Sequence, residues 1–82
     1  MITTLDKGII NEEYEVISIN SDYKLKKRLF DLGLINGVKI KPMYKSSLSD
    51  PTAYLICGSI IALRCDDTKN ITVKKVTNNG FN

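Results

Sequence analysis

A small, mainly β barrel of about five short strands, with one short α-helix inserted after the first strand, is the fold this sequence predicts. Three observations point there. Runs rich in β-branched residues recur at short intervals, "YEVISI", "VKIKPMYK", "TAYLICGSIIALRC" and "ITVKKV", and such runs favour strands. Turn-forming residues separate them, and only one stretch, "NSDYKLKKRLFDLG", carries a helical period instead. A chain of 82 residues buries only about 60 to 65% of its unfolded surface, so a sheet that closes on itself and loses its exposed edges suits it better than an open one.

The elements follow in order. "YEVISI" sets Tyr14, Val16 and Ser18 against Glu15, Ile17 and Ile19, an imperfect alternation. Asn20, Ser21 and Asp22 then offer N-caps, and Leu25, Leu29 and Leu32 stand at i, i+4 and i+7 on one helix face;. Lys24, Lys27 and Arg28 fall on another face, with Asp31 four residues after Lys27;. Gly33 stands where a helix ends in a left-handed residue, and Leu34 beyond it can fold back on the last turn. Asn36-Gly37 makes a second turn into "VKIKPMYK". The glycines follow the helix, whereas a phosphate loop needs them ahead of one.

"SSLSDP" reads as a loop in which Asp50 initiates the turn before Pro51. "TAYLICGSIIALRC" reads as a β-hairpin with Gly58-Ser59 as its loop. That register pairs Ile56 with Ile61, Leu55 with Ala62 and Tyr54 with Leu63. It places Tyr54, Ile56, Ile61 and Leu63 on one face, and Leu55, Cys57, Ile60 and Ala62 with Ala53 and Arg64 on the other. "DDTKN" turns the chain into the last strand, which contains Ile71 and Val73;. One domain over residues 1–76 and a flexible tail over 77–82, "TNNGFN", account for the chain;.

Composition excludes several classes. Hydrophobic residues make up 43% and charged residues 26%, the balance of a soluble globular domain. The net charge of +3 is too small and too dispersed to mark a nucleic-acid partner, and the four tyrosines do not gather into a stacking platform;. "MITTLDKGII" lacks the basic and apolar regions of a secretory signal. "YLICGSIIAL" is about half the roughly 20 residues that span a membrane, so a cytoplasmic location without membrane insertion is expected. Histidine is absent, which removes the commonest general base and metal ligand. Cys57 and Cys65 fall on opposite hairpin faces and are not expected to bond.

The ordered set Arg28-Leu29, Leu32-Gly33-Leu34, Gly37, Asp50-Pro51, Leu63-Arg64 and Ile71 with Val73 resembles the FeoA family, the SH3-like barrel proteins of bacterial ferrous iron transport. The likeness runs from Leu5 to Val76. Asn36, Ser49 and Thr68 stand where that family often has proline, glycine and alanine, all at turn or packing positions. The domain is also similar to the C-terminal module of iron-dependent repressors, although no helix-turn-helix accompanies it here. The resemblance implies a non-enzymatic accessory protein that acts with the FeoB membrane GTPase transporter. It also implies transition-metal binding, through the repressor relatives, which makes a metal-sensing domain the second reading.

For a site, the sequence offers the outer hairpin face. Leu55, Cys57, Ile60 and Ala62 would form an exposed apolar patch, and such patches are binding surfaces. The partner would be FeoB or another copy of the chain, unless "MITTLDKGII" covers the patch. Lys24, Lys27 and Arg28 would help by steering toward an acidic surface. Cys65, Asp66 and Asp67 with Glu12 and Glu13 are the residues of a type to ligate iron(II). Their spacing fixes no coordination geometry, so no cofactor is expected beyond weak binding of Fe2+ or another divalent ion.

Overall fold

The computed structural model describes residues 1–76; the tail assigned to 77–82 lies outside the described residues. Six strands form one antiparallel sheet: β1 (Ile2–Thr4), β2 (Tyr14–Ile19), β3 (Lys39–Lys45), β4 (Thr52–Ile56), β5 (Ser59–Leu63) and β6 (Ile71–Lys75). Their order across the sheet is β1-β6-β2-β3-β4-β5. Helix α1 (Tyr23–Asp31) follows β2, and a short helix α2 (Cys65–Thr68) replaces the turn expected at "DDTKN". The mainly β class with one inserted helix stands, enlarged by β1, which precedes the strand that the sequence shows first; among the described residues β1 and β5 remain unpaired with each other as the two edges of the sheet, where full closure was expected. β1 pairs with β6, Ile2 opposite Lys74 and Thr4 opposite Thr72, so the N-terminal segment joins the sheet as a strand.

The imperfect alternation of β2 has a local cause. Against β6, Val16 faces Val73 and Ser18 faces Thr72, so Ile17 is the extra residue of a β-bulge. The bulge moves the inward side from even to odd positions: Tyr14 and Val16 are buried, Ile17 is exposed, and Ile19 packs against the core. β3 bends the same way at Met43, between the pairs Pro42–Tyr54 and Tyr44–Ala53.

Helix α1 begins and ends as its residues dictate. The Asp22 carboxylate accepts the N–H of Leu25 at 3.0 Å, an N-cap bond. At the other end Gly33 has φ +95°, which glycine adopts without a Cβ clash. The Gly33 N–H reaches the Phe30 carbonyl at 2.9 Å and the Leu34 N–H reaches the Leu29 carbonyl at 2.8 Å. This is the double closure of a Schellman motif. The reversal brings Leu34 into the core beside Leu29, while Leu32 is left at the surface. The stripe expected as Leu25, Leu29 and Leu32 therefore continues through Leu34.

The β4–β5 hairpin turns at Cys57-Gly58, one residue earlier than expected. Both residues have positive φ, 50° and 83°, as a type I′ turn requires. The pairs are Ile56–Ser59, Leu55–Ile60, Tyr54–Ile61, Ala53–Ala62 and Thr52–Leu63. Moving the loop by one residue moves the pairing by two, and because the pleat repeats every two residues both faces keep their expected strand members.

Leu5, Tyr14, Val16, Leu29, Leu34, Ile40, Ile56, Ile71 and Val73 are almost wholly excluded from solvent. Leu29 is the α1 residue buried among them. Among the described residues every buried side-chain nitrogen and oxygen has a hydrogen-bond partner. Asp50 holds the loop before β4 to α2: one carboxylate oxygen accepts the Cys65 N–H at 2.9 Å and the other lies 3.5 Å from Arg64. Arg28 of α1 forms an ion pair with Asp67 of α2, so the two helices are tied together.

Tyr54 makes the core sensitive to alkali. Burial pushes its phenol above the ordinary value of 10.0, against the opposing pull of Thr68 and Thr52 beside it. The folded chain thus keeps a proton that the unfolded chain releases. Stability is full below about pH 10 and falls as pH rises through the folded value. Tyr54→Phe is expected to flatten that fall, read from urea midpoints on either side of pH 10.

Candidate interaction surface

The outer hairpin face exists as the strand alternation requires. Leu55 and Ile60 are direct cross-strand partners, and Ala62 faces Ala53. Ile60 is 51% exposed, Ala62 is exposed and Leu55 half-buried. Cys57 leaves this row because it occupies the turn. It is exposed, but its sulfur lies against the end of α1, 3.7 Å from where a Cβ on Gly33 would sit. The N-terminal segment lies in the sheet beside β6.

Lys24, Lys27 and Arg28 are all exposed on α1, yet two of them already have partners. Lys27 lies 3.7 Å from Asp31, and Arg28 is turned to Asp67. The remaining positive charge of the helix is carried by Lys24 and by Lys26. Lys26 borders a groove of about 320 Å³ that also involves Ile19, Phe30, Leu34 and Ile35. Phe30 is 63% exposed and Tyr23 76% exposed. This groove escaped sequence reasoning because its members come from β2, α1 and the loop after α1. The one signal that could have found it is Phe30, an aromatic residue off the leucine stripe.

The candidate metal ligands do not converge. Glu12 binds Lys75 at 2.7 Å, Asp66 lies 3.7 Å from Lys69, and Asp67 is held by Arg28. The Cys65 thiol is 4.0 Å from an Asp6 oxygen. Among the described residues no group of three or more cysteine, aspartate or glutamate side chains could hold a metal ion. Asp50, expected as a turn initiator, is occupied by Cys65 and Arg64 as described. No helix among the described residues is long and apolar enough to cross a membrane.

Four meandering strands, β2 to β5, with bulges in β2 and β3, a short helix before β6, the return of β6 beside β2, and β1 added at that edge define the SH3-like class of small domains. The chain belongs to the FeoA family: the FeoA domain model matches residues 3–75, and with it comes the family's association with iron transport. The chain is 28% identical to the FeoA protein of Chlorobium tepidum, covering 96% of this chain and 76% of that one with a TM-score of 0.86. It is 25% identical to a FeoA-like protein of Clostridium acetobutylicum, covering 99% and 94% with a TM-score of 0.85. A zinc-complexed FeoA of Stenotrophomonas maltophilia, described as an SH3 domain protein and put forward as a ferrous iron transport activating factor, shares the fold at 21% identity. That match covers 88% of this chain and 89% of the other with a TM-score of 0.77. No curated protein matches the chain.

Proposed function

We propose that this chain is a non-enzymatic accessory protein of ferrous iron uptake in the cytoplasm, acting by direct contact with a FeoB-type transporter through the outer hairpin face. Family membership over residues 3–75 supports the pathway. The observation that carries the surface is the exposure of Ile60 beside Leu55 on a sheet face that a small domain would otherwise make polar;. Lys24 adds steering, which changes the rate of encounter more than affinity. Arg28 contributes less than its charge suggests, because Asp67 already holds it.

The test is capture of the chain by the cytosolic part of a FeoB transporter. Ile60→Lys is expected to weaken capture by about 30-fold, the equivalent of about 2 kcal/mol, and to leave the melting temperature within a few degrees of the parent. A large loss of stability with capture retained by the folded fraction would sink this surface.

A metal-sensing domain is the second reading, supported by the zinc-complexed FeoA that shares the fold. The scattered, cation-paired carboxylates speak against a dedicated site here. Titration with iron(II), manganese and zinc is expected to show no stoichiometric binding at micromolar metal. A saturable one-to-one isotherm would replace the contact reading with the sensing one.

A further inference from the structure

We propose that the free edge of β5 pairs antiparallel with β5 of a second copy, forming a two-fold dimer centred on Ile61. β5 is the last strand of the sheet, bonded on one side to β4. A hairpin closed by a two-residue turn starts from a hydrogen-bonded pair. Ile56–Ser59 is therefore such a pair, as are Tyr54–Ile61 and Thr52–Leu63, and the N–H and C=O groups of Ile60 and Ala62 point away from β4;. Those outward groups have no backbone or side-chain partner among the described residues.

Exposed edges are usually blunted by charge, proline, a bulge or shortness. β5 has none of these. "SIIAL" carries no charge and no proline, its pairing with β4 is continuous, and it is five residues long. The opposite edge, β1, is three residues long and runs straight into a turn carrying Asp6 and Lys7. The protection is confined to one edge.

The strand is complementary to itself, which identifies the occupant. A two-fold axis through Ile61 sets Ile60 of one copy opposite Ala62 of the other. Both residues present N–H and C=O to the seam, so each pair exchanges both bonds. A large side chain meets a small one on the same outer face. The nearest charge, Arg64, falls opposite Gly58 of the other copy, so the net positive charge of the chain places no like charges across the seam. β5 offers no charged side chain with which to select a foreign strand, whereas a second copy always supplies the matching one. The dimer would also join the two Leu55–Ile60 rows into one larger apolar surface. It does not depend on the transporter contact, because it is measured on the chain alone.

Sedimentation equilibrium of the full chain from micromolar to millimolar is expected to rise from one to two copies and stop there. Over the same range the Ile60 and Ala62 amides are expected to slow their hydrogen exchange by roughly tenfold. Those of Ile61 and Leu63, bonded to β4 in every state, stay constant. Ala62→Pro removes a seam N–H without touching the β4 ladder and is expected to sediment as a monomer. Ile60→Lys is the second variant should proline unfold the strand, with the same result expected. A chain that remains monomeric at millimolar concentration, concentration-independent exchange at Ile60 and Ala62, or masses growing beyond two copies would each overturn the proposal. Capture by the transporter that fails in a still-dimeric parent removes only the transporter reading.

Discussion

Leu29→Ala is expected to destabilise the domain by about 2–5 kcal/mol, the range for removing a fully buried leucine. The side chain is 0% exposed, and it is the anchor by which α1 enters the core. Nine residues are too few for a helix to persist in water without tertiary contacts, since isolated helices under about 12–15 residues are marginal. The carbonyl of the same residue closes the Schellman motif with the Leu34 N–H, so a loosened Leu29 also loosens the turn that brings Leu34 inward. Against a total stability of about 5–15 kcal/mol for a small domain, the loss takes a large share. Urea unfolding followed by circular dichroism reads it as a lower midpoint. Lys24→Ala, on the wet side of the same helix, is expected to stay within about 0.5 kcal/mol of the parent. A loss below about 1 kcal/mol for Leu29→Ala would mean that Leu25 and the α1–α2 ion pair hold the helix instead.

The features legible in the sequence are those with local causes. Asp22, the leucine spacing and Gly33 mark the helix because capping, period and positive φ are each decided within a few residues. The substitution of Leu34 for Leu32 was half visible, since Leu34 was already expected to fold back past Gly33. What the periodicity did not reveal was that Leu32, as the C-cap residue, would be turned out. The hairpin shows a different kind of legibility. Its loop lies at Cys57-Gly58 and not at Gly58-Ser59, yet its two faces are as expected, because face membership depends on parity alone and parity survived the shift. Cys57 is the exception because a residue in a turn belongs to neither face.

β1 was not legible, and for a physical reason. Ile2–Thr4 has no alternation to speak of and no flanking turn signal; it becomes a strand because β6 has an open side. The same holds for the groove beside Phe30, whose walls meet only in the folded chain. The apolar character of the outer hairpin face could be read directly, since Ile60 and Ala62 share a parity and Leu55 lies across the hairpin on the same side. The engagement of Arg28 with Asp67, 39 residues away, could not, and it lowers the share of the basic helix in any partner contact.

Tyr14 separates the two ways in which the middle of the barrel is held. Its ring is 1% exposed, and its hydroxyl accepts the N–H of Ile9 at 2.9 Å. Gly8 lies directly on the ring: a Cβ there would come within 3.3 Å of the Tyr14 ring edge, 3.2 Å of Pro42 and 3.1 Å of the Leu5 carbonyl. The segment before β2 thus passes over Tyr14 so closely that only glycine fits without the neighbours giving way. Tyr14→Phe keeps the ring and loses one hydrogen bond, and because Ile9 is open to water its N–H is rehydrated, so a cost of about 1 kcal/mol is expected. Tyr14→Ala removes the ring from under Gly8 and leaves a cavity between β2 and Pro42, with an expected cost of about 3–5 kcal/mol. Thermal melts of the two variants measure the difference directly. Equal losses in both would assign the stabilisation to the hydroxyl and its bond to Ile9. A large gap assigns it to ring packing, and it would then follow that the Leu5–Glu13 segment is held down chiefly by what it covers, with β1 kept beside β6 as a consequence.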